Sequence, residues 1–149
     1  MKNNIKKGKV LEIFSAPVGY KKPVRPIVEK LILKKGYGIE GDKFALKDLD
    51  STVMIIGINS YHMAQKSGIN MEYGSLGENI LLDFDPHTLP IGTVLDFGDA
   101  KIEITQRCTI CSHLAVFGRS IPELLKDHRG LYCKIVSSGT IVKNSDLFT

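Results

Sequence analysis

Residues 101–114 have the sequence KIEITQRCTICSHL, in which an alternating segment runs directly into a pair of cysteines. Ile102 and Ile104 alternate with polar neighbours, which predicts a β-strand that is buried on one face. A cysteine that follows such a strand is held by a rigid element, yet it lies near the surface where ligands arrive. The stretch therefore predicts a strand-built fold with a reactive site at the end of this strand.

The rest of the chain repeats this pattern of short β-prone runs, which are separated by Gly, Pro, Asn and Asp. Further strands are predicted at residues 8–14, 27–33, 53–58, 79–83, 94–97, 131–136 and 140–143. Ser137-Ser138-Gly139 is typical of the tight turn of a C-terminal hairpin, because glycine supplies a positive φ. Short helices are predicted at residues 59–68 and after the capping box that Ser120 opens. A mainly β fold follows, a barrel with a few short peripheral helices.

Length and composition indicate an ordinary soluble globular protein. The 149 residues fit a single domain that spans 1–149, and the chain is 43% hydrophobic and 24% charged. No apolar run approaches the ~18 residues that span a membrane. The basic N-terminus lacks the apolar segment of a signal peptide, so we expect a cytoplasmic protein without a membrane partner.

The charge is distributed unevenly along the chain. Residues 1–43 hold eleven Lys and Arg against four Asp and Glu, whereas the remaining residues hold nine against twelve. Such a basic third is typical of a surface for nucleic acid, a membrane or an anionic small molecule, or of a merely solvated face. Few aromatic residues lie between the lysines, so we expect no nucleic-acid partner.

The three cysteines leave several uses open. An odd number without an export signal argues against a disulfide framework. Cys133 lies within a predicted strand and is expected to be a buried small hydrophobe. Cys108 and Cys111, in a C-x-x-C spacing, are able to supply two of the four ligands of a tetrahedral zinc site. Alternatively, one of them is a thiolate that binds a soft metal or carries sulfur, favoured electrostatically by Arg107 and His113, or neither has a function.

Two glycine-rich stretches are further candidates. Residues 36–44, GYGIEGDKF, allow backbone N–H groups to approach an anion, with Asp42 and Lys43 as an acceptor and a cation. Residues 74–80, GSLGENI, present Glu78 and Asn79, which suit the donor and acceptor edge of a heterocycle. Each stretch is equally compatible with a tight turn.

These tracts, in this order, resemble the MOSC domain, named for the C-terminal domain of molybdenum cofactor sulfurases. Residues 38–44 resemble the family's G-[VI]-E-G-D-[RK]-H loop, and residues 74–80 resemble its G-x-x-G-E-N-[IL] element. The cysteine tract is similar to R-x-P-C-x-x-L. Phe44 stands where the family has histidine, and Ile110 stands where it has proline.

The resemblance implies a MOSC-type β-barrel that binds molybdenum cofactor (molybdopterin). It aligns Cys111 with the family cysteine, which implies that Cys111 is the catalytic residue and the metal ligand. The residues that it implies for cofactor binding are Gly41, Asp42, Lys43, Glu78, Asn79, Arg107, Ser112 and His113.

The same resemblance implies a reaction. Similar bacterial proteins reduce N-hydroxylated small molecules at molybdenum, with electrons from a partner reductase, so we expect such a substrate and such a partner. The alternative is a non-redox carrier of sulfur or of the cofactor, which uses Cys111 as persulfide or thiolate and delivers to another enzyme. A zinc-stabilised adaptor built on Cys108 and Cys111 is a third hypothesis.

Overall fold

A computed structural model describes residues 5–109 and 112–149, without the side chains of Ser112 and His113. The strands in this part of the chain are β1 (Lys6–Ile13), β2 (Lys30–Lys34), β3 (Gly38–Ile39), β4 (Val53–Gly57), β5 (Ile80–Leu82), β6 (Val94–Asp96), β7 (Lys101–Arg107), β8 (Leu131–Ser137), β9 (Gly139–Val142) and β10 (Asp146–Phe148). The helices are α1 (Ile58–Lys66), α2 (Ile121–Leu124) and the 3₁₀ helices Pro86–Thr88 and Ser112–Val116.

Seven of the described strands close into a barrel, in the order β1-β10-β6-β7-β8-β4-β5. Their neighbours pair antiparallel except for β4 and β5, which run parallel with Ile55 opposite Ile80. A smaller sheet, β3-β2-β9, lies beside the barrel. The mainly β barrel with short peripheral helices that the sequence predicts is therefore confirmed.

The protein has two hydrophobic cores, and the side chains of β4 alternate between them. Along β4, Ile55 packs into the barrel interior, whereas the next residue, Ile56, packs into a second cluster with Tyr61 and Ala64 of α1. Successive side chains of a strand point to opposite faces, so one strand lines both cores. All five residues of β4 are buried for this reason.

The predicted strands agree with the observed ones, but two local predictions are wrong. Ser137-Ser138-Gly139 is not a hairpin turn, because β8 pairs with β7 and β4 while β9 pairs with β2. Gly139 is needed for another reason: a Cβ there would collide with the backbone of Ala100. Ser120 precedes α2 but makes no side-chain capping bond. Strands β3 and β10, of two and three residues, were not predicted.

The end of β7 positions the cysteine tract. Arg107 pairs with Leu131 at the start of β8, and the N–H of Cys108 donates to the carbonyl of Gly130 at 2.9 Å. The residues that follow β7 therefore lie beside the residues that precede β8.

None of the helices within residues 5–109 and 112–149 combines the length and the hydrophobicity that a membrane crossing requires.

Candidate functional site

A cleft of about 360 Å³ brings together side chains that are distant in sequence. We call it the cationic cleft, because Lys22, Arg25, Lys43 and Arg129 line it. Among the described residues of its lining, none is acidic. The remaining lining residues are Pro23, Phe44, Ser51, Thr52, Met54, Ser75, Leu76, Gly77, Asn79 and Tyr132. Positive charge and hydroxyl groups in one concave site suit an anionic ligand that also has an apolar or aromatic part.

The buried side chain of Asp42 fixes the position of residues that line one wall of this cleft. Its side chain is 1% exposed, and one oxygen accepts from the Ser15 hydroxyl at 2.8 Å and from the Ala16 N–H at 3.2 Å. The same oxygen forms an ion pair with Arg25 at 3.2 Å, and the other accepts from the Phe44 N–H at 3.0 Å. Both carboxylate oxygens are thus used within the protein, where they fix the loop and the guanidinium of Arg25.

Three further residues of this loop have different surroundings. Gly41 is exposed, has a φ of +80°, and does not line the cleft. Lys43 lines the cleft, and its Nζ donates to the carbonyl of Tyr20 at 3.2 Å. Phe44 also lines the cleft, with its side chain turned toward solvent and its ring centroid 5.2 Å from Cζ of Arg25.

Glu78 is fully buried and supports the loop that forms another wall of the cleft. It accepts hydrogen bonds from the Tyr61 hydroxyl and from the N–H of Gly74, the latter at 3.1 Å. Burial raises the pKa of Glu78 above its ordinary value. Glu78 does not line the cleft, and its hydrogen bonds join this loop to Tyr61 of α1.

Asn79 lines the cleft but binds backbone on both sides. Its Oδ1 accepts from the N–H of Met54 at 3.0 Å, and its Nδ2 donates to the carbonyl of Phe14 at 3.1 Å. These bonds tie β1, β4 and the start of β5 together, because Met54 lies in β4 and Phe14 follows β1. The side-chain amide therefore organises the wall of the cleft.

Arg129 and Tyr132 are candidate functional residues that the sequence alone did not indicate. Arg129 is 3% exposed and donates to the carbonyl of Leu76 at 2.6 Å. The phenol oxygen of Tyr132 accepts from the Cys108 thiol at 3.4 Å. Burial raises the pKa of Tyr132 to about 12, so the phenol keeps its proton at neutral pH. With its oxygen engaged by Cys108, the phenol O–H can donate to a ligand in the cleft.

A second cleft, of about 370 Å³, adjoins the first through Arg129, which lines both. Arg107, Cys108 and Thr109 line it, and Arg107 donates to the carbonyl of His87 at 3.2 Å. The predicted site residues that line a cleft are therefore distributed between the two clefts. Lys43 and Asn79 line the first cleft, whereas Arg107 lines the second.

Cys111 lies outside the described residues, so its role as ligand stays a prediction. Ser112 and His113 begin the 3₁₀ helix Ser112–Val116, and their side chains are likewise outside the description. Cys133 is fully buried in the barrel core, as predicted, and burial raises the pKa of its thiol. Among the side chains that the structure describes, which exclude those of residues 110–113, no cluster of three or more His, Cys, Asp and Glu is suited to hold a metal ion.

Signals for the missed cleft residues were present but weak. Lys22 and Arg25 belong to the basic N-terminal third, whose charge predicted an anionic partner without selecting residues. Arg129 lies two residues before the strand predicted at 131–136, and this position gave no indication of a buried cation.

Comparisons with known proteins agree with this architecture. The family model described as MOSC domain matches residues 39–147. The crystal structure of the YuaD protein from Bacillus subtilis superposes with a TM-score of 0.81 and 18% identity, covering 99% of this chain and 97% of that one. YiiM from Escherichia coli gives a TM-score of 0.71 and 16% identity, over 96% of this chain and 70% of that one. At these identities the similarity shows the fold. Comparison with curated protein sequences finds no significant match.

Proposed function

Because the chain belongs to the MOSC domain family, which is associated with molybdenum cofactor, we propose that it binds this cofactor in the cationic cleft. The observation that carries the proposal is the convergence of four cationic side chains in a cleft whose described lining contains no acid. The cofactor is a pterin that carries a phosphate group. Lysine and arginine bind phosphate oxygens, and a cleft of a few hundred Å³ suits a heterocycle of this size.

The residues that fit this ligand have distinct roles in the proposal. Lys22, Arg25 and Lys43 hold the phosphate at the side of the cleft that the N-terminal loops form. The hydroxyl groups of Thr52 and Tyr132 offer hydrogen bonds to the polar edge of the pterin. Arg129 carries its charge at the boundary between the two clefts, close to the end of β7.

Cys111 is the thiolate ligand in this proposal. It follows Cys108 by three residues, and Cys108 lies between the two clefts in contact with Tyr132. Cys108 lines the second cleft, and its thiol donates to the phenol that lines the first. We therefore assign Cys108 a structural role and the metal to Cys111.

The reaction that we propose is the reductive removal of oxygen from an N-hydroxylated small molecule, with release of water. When bound, the cofactor supplies the oxygen-atom and electron transfer, and a partner reductase supplies the electrons. In this proposal the second cleft holds the substrate. Arg107 and Thr109 line this cleft and offer hydrogen bonds to a polar substrate.

Metal analysis of the full-length protein tests cofactor binding. The protein is produced in a host that makes molybdenum cofactor, and molybdenum and bound pterin are measured in wild type, Cys111→Ala and Cys108→Ala. We expect stoichiometric molybdenum in wild type and Cys108→Ala, and its loss from Cys111→Ala. Full retention of molybdenum by Cys111→Ala would contradict the ligand assignment. Zinc in place of molybdenum would support the adaptor hypothesis instead.

Turnover separates the reductase from a carrier. Loaded wild-type protein is mixed with an N-hydroxylated purine and a chemical reductant, and the formation of the amine is followed. Reduction that depends on Cys111 supports the enzyme. Bound cofactor without turnover, or labile sulfur on Cys111, supports the carrier.

A further inference from the structure

Phe44 lies at the centre of a group of cations at the mouth of the cationic cleft. Cζ of Arg25 is 5.2 Å from the ring centroid, Nζ of Lys43 is 5.5 Å away, and Nζ of Lys47 is 5.8 Å away. Phe44 is 42% exposed, so it is not held there by burial in a core. Three cations around one exposed aromatic ring call for a physical explanation.

The ring offsets part of the repulsion among these cations. Like charges a few ångströms apart repel each other, and salt screens them only beyond about 10 Å at ordinary ionic strength. The face of an aromatic ring is electron-rich and attracts cations within about 6 Å of its centroid. Each of the three side chains lies within that distance, so Phe44 favours arrangements in which the charges stay together.

The position of the ring is itself fixed. Asp42 accepts the backbone N–H of Phe44 with one oxygen and holds the guanidinium of Arg25 with the other. The Asp42 carboxylate is buried behind these two groups, so it does not occupy the cleft. The arrangement is thus organised before any ligand binds, which lowers the entropy lost on binding.

We propose that Phe44 is a positioning residue that gathers Arg25, Lys43 and Lys47 into a binding site for a multiply charged oxyanion. The ligand class is a phosphate ester or diphosphate, and its identification with the cofactor's phosphate rests on the proposed function. A histidine, which the family's motif has at this position, would carry a pH-dependent charge of its own. Phenylalanine instead presents the same uncharged face at every pH.

Binding of inorganic pyrophosphate to the full chain tests the proposal, since it needs neither molybdenum nor turnover. Affinities are measured by phosphorus NMR titration for wild type, Phe44→Leu and Phe44→Tyr, with Leu49→Ala as an exposed control on the same loop. Phe44→Leu keeps an apolar side chain but removes the π face, so we expect binding about five-fold weaker. Phe44→Tyr should bind within about two-fold of wild type, because it restores the ring. Leu49→Ala should bind like wild type.

The melting temperature of each variant is measured alongside, so that a loss of structure is recognised. Equal binding by Phe44→Leu and wild type overturns the proposal, as does equal weakening in Phe44→Leu and Phe44→Tyr. Wild-type protein that does not bind pyrophosphate also overturns it. A protein that binds pyrophosphate through Phe44 but never contains molybdenum would instead contradict the proposed function alone.

Discussion

Replacement of Asp42 by alanine should strongly destabilise the fold. The substitution removes the acceptor of the Ser15 hydroxyl and of the backbone N–H groups of Ala16 and Phe44. It also leaves the Arg25 guanidinium without its carboxylate, in a position where the arginine side chain is 10% exposed. The energetic consequence is dominated by donors that lose both their partner and access to water.

The magnitude follows from the burial of the pair. Removing one member of a buried ion pair typically costs about 3–5 kcal/mol, because the other charge stays in a poorly solvated place. Movement of Arg25 toward the cleft would restore some hydration, so we expect about 3 kcal/mol for Asp42→Ala. For a chain of this size, that loss lowers the melting temperature by roughly 10 °C.

Urea denaturation and thermal melting of three variants measure this loss. Asp42→Asn keeps one acceptor oxygen and should lose about 2 kcal/mol. Ser15→Ala removes a single hydrogen bond and should lose about 1 kcal/mol. If Asp42→Ala unfolds at the same urea concentration as Ser15→Ala, the carboxylate does not organise the loop as we infer.

Three further predictions concern backbone space and buried titratable groups. Gly130→Ala places a Cβ 2.5 Å from Cε of Met54 at a φ of +121°, so we expect a loss of about 2–4 kcal/mol in urea denaturation, and wild-type stability would contradict this. Burial raises the pKa of Glu78 above its ordinary 4.5, so the folded protein loses stability as the pH rises through the raised pKa. The stability of Glu78→Gln relative to wild type should therefore increase between acidic and neutral pH. A stability difference that does not change with pH would refute the argument. Burial lowers the pKa of His87 below its ordinary 6.5, so wild type should lose stability as the pH falls from 6.5 through the lowered pKa. If the stability of His87→Gln declines equally steeply over this pH range, another group is responsible.

The barrel itself was accessible from the sequence because its signal is local. Alternation of apolar and polar residues, as at Ile102 and Ile104, is a property of a few consecutive residues and predicts which face is buried. The two-residue strand β3 was missed because two residues cannot show such a period. The turn at residues 137–139 was misassigned because local turn preference was outweighed by pairing of β9 with β2, about a hundred residues away.

For the candidate site too, one part was predictable from the sequence and another part was set only by the tertiary structure. The sequence alone determined the chemistry of its motifs: a glycine-rich loop with Asp42 and Lys43, a basic N-terminal third, and a cysteine tract after a strand. Only the tertiary structure decided which side chains converge, placing Arg25 and Arg129 in one cleft and turning the Asp42 carboxylate inward. Residue type sets what a side chain is able to bind, but non-local strand pairing sets its neighbours and its exposure. The function of a charged residue depends on both.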